Sequence, residues 1–273
     1  MAHTSHRPRK RFGQNFLHDN SVIDRIIAAI RPQPADCLVE IGPGQGALTF
    51  PLLERAGRLV AIEMDRDLIP TLQAGAEPLG QLELHQGDAL DFDFNAVRPD
   101  CDQLRIVGNL PYNISTPLLF HILTSAPRIR DMHFMLQREV VERMRAQPGS
   151  KVYGRLSVMI QYHCAVERLF LVHPGAFFPP PKVESAIVRL RPQPPETRAR
   201  DPQVFARIVA QAFSQRRKTL RNTLRGVVDP AGMEQAGINP GQRPEQLSVA
   251  DFVTLANTAA DGNILAAGNT ART

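Results

Sequence analysis

Between Asn20 and about Leu190 the chain alternates short apolar runs rich in β-branched residues with stretches whose apolar positions recur every three or four residues. The runs are Leu38–Ile41, Leu59–Glu63, Leu82–His85, Leu104–Val107 and Met132–Leu136, and the helical patterns between them are Ala47–Arg55, Leu68–Ala74 and Thr116–Leu123. Ahead of them, Val22, Ile23, Ile26, Ile27 and Ile30 share one helical face, with Asn20 or Ser21 placed to cap it. Short buried strands joined by helices demand a parallel sheet covered on both faces, because parallel neighbours need a long crossover. The expected class is therefore α/β. Leu156–Cys164 fits helix or strand equally, while Leu169–Val172 and Ala186–Leu190 read as a strand pair around a Pro-rich turn.

The alternation stops at a proline cluster. Residues 192–202 hold four prolines and nothing to bury, which marks a linker. Beyond it, Phe205, Ile208, Val209, Phe213, Leu220 and Leu224 recur at helical spacing, and Arg217, Arg221 and Arg225 fall four apart on another face. The expected layout is a basic arm over 1–18, a large α/β domain over 19–191, the linker, a helical domain over 203–260, and a small polar tail over 261–273.

Charge is unevenly spread. Residues 1–18 carry Arg7, Arg9, Lys10 and Arg11 with no acid, and residues 189–225 carry ten basic residues against Glu196 and Asp201. Since the net charge of the whole chain is only +5, the remaining body is acidic. Two basic segments on an acidic body point to a polyanionic partner. No apolar run approaches the roughly 20 residues of a membrane span, and residues 1–14 lack the apolar segment of a secretory signal. Cys37, Cys101 and Cys164 lie more than 60 residues apart, a spacing that fits no zinc pattern, and their odd, sparse count argues against a disulfide framework. Each is expected to be a small buried hydrophobe in a reducing cytoplasm, and no metal is expected.

The first chemical constellation is the segment Val39-Glu40-Ile41-Gly42-Pro43-Gly44-Gln45-Gly46, which follows a strand and opens a helix. Glycines there permit a sharp turn and close approach of a ligand to the backbone. The spacing departs from the dinucleotide fingerprint, and the lysine of a P-loop is absent. Acids decide the ligand. Glu63 ends the next strand, where a carboxylate accepts both hydroxyls of a ribose, and Asp88 follows the third strand, placed to accept from an adenine amino group. Glu40 precedes the glycines. Carboxylates around such a site disfavour a pyrophosphate and favour a cationic nucleoside, and S-adenosyl-L-methionine, with its sulfonium and α-amino group, is that ligand.

The second constellation, Gly108-Asn109-Leu110-Pro111-Tyr112, falls at the end of the fourth strand, on the rim where α/β sites assemble. An exocyclic adenine amine is a poor nucleophile because its lone pair is delocalised into the ring. Two oxygens accepting its hydrogens localise that pair toward a methyl donor. The Asn109 side chain and the Leu110 carbonyl, held by Pro111, can supply them, and Tyr112 can stack on the base.

Lys10-Arg11-Phe12-Gly13-Gln14-Asn15-Phe16-Leu17, Glu40-Ile41-Gly42-Pro43-Gly44, Asn109-Leu110-Pro111-Tyr112 and Phe177-Phe178-Pro179-Pro180-Pro181-Lys182-Val183 together resemble the motifs of the ribosomal RNA adenine dimethyltransferase family, in the family's order, over about residues 9–225. Gly154-Arg155-Leu156-Ser157 and Arg217-Lys218-Thr219-Leu220 make the bacterial small-subunit branch the nearest match. The resemblance implies a Rossmann-like class I methyltransferase with a seven-stranded sheet and a small C-terminal all-helical domain. It implies dimethylation of two adjacent adenosines near the 3′ end of small-subunit (16S) rRNA, in the cytoplasm, by a monomer whose partner is the small ribosomal subunit. Asn15 and Leu17 would contact the cofactor from the arm, with Gly42 at its methionine portion, Gly44 among the cofactor-binding residues, Glu63 at its ribose, Asp88 at its adenine and Asn109 at the transfer site. Tyr112 and Phe177 would sandwich the target base, while Phe178 receives no role. Arg7, Arg9, Lys10, Arg11, Arg217, Lys218, Arg221 and Arg225 are the candidate RNA contacts. A large-subunit rRNA adenine methyltransferase, or an RNA-binding assembly factor with dispensable catalysis, are the alternatives.

Overall fold

A computed structural model describes Arg9, residues 14–112 and residues 114–261, with the side chain of residue 261 left aside. Arg7, Lys10 and Arg11 lie outside the described residues. The chain forms two compact units, Met1–Val141 with Ala165–Pro192, and Glu142–Cys164 with Gln193–Thr273. The sequence placed a single boundary near 192. Tyr153 and Tyr162 explain the difference, because their rings meet Phe213 edge-on (6.2 Å) and Phe205 at a tilt (4.4 Å), and the Tyr162 hydroxyl accepts from the Ala199 amide at 3.0 Å. The segment 142–164 therefore buries its aromatics with the helices that follow the linker.

The first unit opens with β1 (Phe16–Leu17) and α1 (Asn20–Ile30). Asp19, not Asn20 or Ser21, caps α1, accepting from the amides of Ser21 and Val22. There follow β2 (Cys37–Ile41), α2 (Thr49–Ala56), β3 (Arg58–Glu63), α3 (Ile69–Ala76), β4 (Gln81–Gln86), β5 (Leu104–Asn109), α4 (Ser115–Leu123) and β6 (Ile129–Gln137). After α5 (Arg138–Met144) and α6 (Arg155–His163), β7 (Cys164–Val172), β8 (Phe177–Phe178) and β9 (Ser185–Pro192) complete the strands. Seven of them form one sheet in the order β4-β3-β2-β5-β6-β9-β7, parallel from β4 to β6, with β9 antiparallel to β6. The chain order reverses between β2 and β5, so the crevice at the carboxyl ends of β3, β2 and β5 is where this architecture places a ligand. β1 and β8 pair separately as an antiparallel ribbon, Phe16 opposite Phe178 and Leu17 opposite Phe177.

Cys37 and Cys101 are joined as a disulfide, with Cα atoms 6.3 Å apart, which corrects the expectation of three separate thiols. Register brings them together: Cys37 opens β2 opposite Leu104 of β5, and Cys101 lies three residues before Leu104. Cys164 is free and buried.

The second unit also holds α7 (Pro202–Ala212), α8 (Leu220–Thr223), α9 (Pro230–Gln235) and α10 (Val249–Asp261). The expected continuous arginine stripe is not formed, because α7 ends at Ala212 and α8 is only four residues long. Residues 214–219 contain no apolar side chain to bury. The Ser214 hydroxyl also bonds back to the Gln211 carbonyl, and three adjacent cations, Arg216 to Lys218, repel one another. Arg217, Lys218, Arg221 and Arg225 are nonetheless all exposed. Among the described residues no helix is long and apolar enough to cross a membrane.

Candidate active site

The turn after β2 is built on backbone that side chains resist. Gly42 and Gly44 lie at φ +68° and +59°, and a Cβ on Gly44 would meet the Phe16 ring at 3.2 Å. The Gly44 amide donates to Glu63 Oε2 at 3.0 Å, and the Asp65 amide donates to Oε1 at 2.8 Å. Glu63 at the end of β3 thus anchors the glycine turn as well as facing the crevice. Burial pushes its carboxyl above the usual range, and the two amides oppose that push.

Glu40 lies one residue before the end of β2 and is 2% exposed, with no hydrogen-bond partner for Oε2 among the described residues. Burial pushes its carboxyl up to about 8; a nearby Thr49 hydroxyl opposes the shift and the Glu63 charge adds to it. A buried carboxyl oxygen without a partner is costly unless something enters to satisfy it.

Asn109 ends β5. Its Nδ2 donates to the Asn15 carbonyl at 3.0 Å, which leaves Oδ1 as the acceptor the side chain can present. The Leu110 amide donates to the Met135 carbonyl at 3.2 Å, and the Ser115 hydroxyl to the Tyr112 carbonyl at 3.2 Å, so the turn is tied at both ends. The Tyr112 hydroxyl shares a hydrogen with Ser185 Oγ at 2.7 Å.

These parts meet in one cavity of about 370 Å³. Asn15, Leu17, Gly42, Gly44, Glu63, Asp88, Asn109, Leu110, Pro111 and Tyr112 all line it, as the sequence expected, together with Glu40, Gln14, Phe16 and Met64. No lysine, arginine or histidine is among its described lining residues. One oxygen of Asp88 accepts from the Leu90 amide at 2.9 Å. Among the described residues no group of three or more His, Cys, Asp or Glu is placed to hold a metal ion.

Two expectations fare differently. Phe177 does not line the cavity. It is 2% exposed and packs in the core with Leu17, Met135 and Ile187, because alternation along β8 turns it inward and turns Phe178 out. Arg9 is not presented to a polyanion: its guanidinium is held by Asp65 (2.9 Å) and by Asp67, while Gln14 reaches the other Asp65 oxygen at 3.0 Å. The sequence reading passed over Ser185, Gln14, Phe16 and Met64. A serine placed where the last strand begins, just after the proline run, was the available signal for Ser185.

A model of the family described as "Ribosomal RNA adenine dimethylase" matches residues 5–261. The chain is 60% identical over 256 residues to the "Ribosomal RNA small subunit methyltransferase A" of Pseudomonas syringae pv. syringae, covering 93% of this chain and 95% of that protein. It is 56% identical to the protein of the same name from Chromobacterium violaceum, over 93% of this chain and 96% of that one. Among solved structures, a dimethyladenosine transferase from Plasmodium falciparum superposes with a TM-score of 0.76 at 28% identity, over 88% of this chain and 95% of that chain. The 23S rRNA methyltransferase ErmE gives 0.68 at 25% identity, over 90% and 100%.

Proposed function

The chain belongs to the ribosomal RNA adenine dimethylase family, and on that premise we propose that it dimethylates N6 of two adjacent adenosines near the 3′ end of small-subunit rRNA, using S-adenosyl-L-methionine. The observation that carries the reading is the gathering of Glu40, Glu63 and Asn109 in one cavity that no cation lines among the described residues. The residues fit the cofactor: two carboxyls with no cation beside them among the described residues suit a ligand bearing a sulfonium and an ammonium, and the glycine turn leaves backbone open beside them. When bound, S-adenosylmethionine supplies an electrophilic methyl group.

The protein's residues do the rest. Glu63 accepts the ribose hydroxyls, and Asp88 accepts from the adenine of the cofactor. The Asn109 side-chain oxygen and the Leu110 carbonyl accept the two hydrogens of the target amine and turn its lone pair outward. Tyr112 gives the base a face to stack on. The proton left on nitrogen is acidic once the methyl is attached, so no strong base is needed.

The roughly 60% identity to small-subunit enzymes, against 25% to the large-subunit one, favours the small subunit as substrate. The exposed Arg217, Lys218, Arg221 and Arg225 are the RNA contacts we assign in the second unit, and Arg7, Lys10 and Arg11 those of the arm. We assign the protein to the cytoplasm as a monomer. The test is methyl transfer to under-methylated small subunits, with mass mapping of the product. Asn109→Ala should lower the single-turnover rate at least about a hundredfold while cofactor affinity stays within a few fold. Dimethylation of large-subunit rRNA, or an unchanged rate in the variant, would overturn the reading.

A further inference from the structure

We infer that Ser185 is a positioning residue for methyl transfer: its hydroxyl holds the Tyr112 ring in place as the wall against which the target adenine is presented. The inference rests on the adenine-methylating reading of the site. Ser185 opens β9, is fully buried, and stands opposite Gln137, the last residue of β6. Its Oγ lies 2.7 Å from the Tyr112 hydroxyl, across 73 residues of sequence. A core strand thus reaches out to the tip of a side chain on the loop that lines the cavity.

The geometry makes this bond consequential for the ring. The backbone of Tyr112 is fixed by Pro111 before it and by the Ser115 hydroxyl on its carbonyl. The far end of the side chain is fixed by Ser185. A ring tied at both ends keeps its plane when a base arrives, so no rotamer has to be selected during the encounter, and reacting atoms aligned in advance react faster. Without the Ser185 hydroxyl the ring keeps its backbone anchor but can swing about its side-chain torsions. Ser185 is fully buried, so on its side of the half-buried phenol the lost partner is not replaced at once by water.

Ser185 is therefore expected to act on the transfer step and not on the cofactor, since it does not line the cavity. Ser185→Ala should lower the single-turnover methylation of small subunits about five- to thirtyfold, with S-adenosylmethionine affinity within twofold of wild type. Ser185→Thr, which restores a hydroxyl on a strand that accepts β-branched residues, should recover most of the rate. Tyr112→Phe removes the same bond from the other side and should reproduce the loss, and the double variant should be no slower than either single one. Multiplying losses in the double variant, or a wild-type rate in both single variants while Asn109→Ala shows its hundredfold loss, would overturn the assignment of Ser185 and leave the methylating reading intact. If wild-type protein itself methylates no rRNA, the reading of the site fails instead. Should Ser185→Ala not fold, Tyr112→Phe and Ser185→Thr still decide the matter, because a full rate in Tyr112→Phe excludes the proposed role.

Discussion

The two ends of the central sheet both bury charge, and they treat it in opposite ways. At the amino ends of the strands, Arg105 of β5 is buried and satisfied on every side: Asp36 at 2.6 Å, Asp131 at 3.0 Å, and the Ile30 and Arg31 carbonyls where α1 stops. At the carboxyl ends, Glu40 and Glu63 are as deeply buried but lie near each other in a cavity that no described cation lines. Among the described residues, only backbone amides reach Glu63, and one oxygen of Glu40 has no partner. A closed network adds to the fold. Two buried carboxyls without a counter-charge resist ionising, so the negative charge there is costly to the fold and becomes favourable when a cation arrives.

The largest effect this contrast predicts is at the closed end. Arg105→Met strands Asp36 and Asp131 without their shared cation, and breaking a buried pair costs roughly 3–5 kcal/mol. Urea unfolding should register that loss, while cofactor affinity of the folded fraction stays unchanged. A loss below about 1 kcal/mol would mean that Arg130, which also reaches Asp36 at 3.2 Å, sustains the network alone. The open end should respond the other way round. Glu63→Ala should weaken S-adenosylmethionine binding about ten- to a hundredfold, the loss of hydrogen bonds to a charged acceptor. Part of that loss belongs to the glycine turn, since Gly44 also gives up its partner. Isothermal calorimetry measures it, and an unchanged affinity would remove Glu63 from the site.

This contrast was only half legible in the sequence. The open end is written in contiguous motifs: strand ends carrying Glu40, Glu63 and Asn109 follow one another at a spacing that a parallel sheet converts into a single rim. The closed end joins Asp36, Arg105 and Asp131 across nearly a hundred residues, and no local pattern announces it. The same limit explains Cys37 and Cys101, which strand register brings together, and Tyr112 with Ser185. Helical periodicity misled where it was read across 214–219, because regular arginine spacing says nothing about whether apolar residues exist to hold a helix down. For Arg9 the sequence showed the charge but not the acids of 65–67 that take it up. At Phe177 the motif was found, but the alternation of β8 decides which of two phenylalanines faces out.

Glu40 separates the two ends by sign. In the folded protein its carboxyl holds a proton up to about pH 8, against 4.5 for the ordinary group. The folded state therefore binds more protons than the unfolded chain between those values, so this group's contribution to stability is full below about pH 4.5 and is lost as pH rises toward 8. Glu40→Gln cannot ionise. Its Tm should equal or exceed that of wild type, and the gain should widen from pH 5 to pH 8, whereas removing charge from the Arg105 network only lowers Tm. Cofactor binding should run in the opposite direction. A ligand carrying positive charge favours the ionised carboxylate, so binding below pH 8 releases a proton and tightens with pH by up to about tenfold per unit. Glu63 faces the same cavity, so part of that slope should survive in Glu40→Gln. Titrations in two buffers of different ionisation heat count the protons directly. Equal proton release by wild type and Glu40→Gln would show that Glu63, and not Glu40, is the carboxyl that the cofactor ionises.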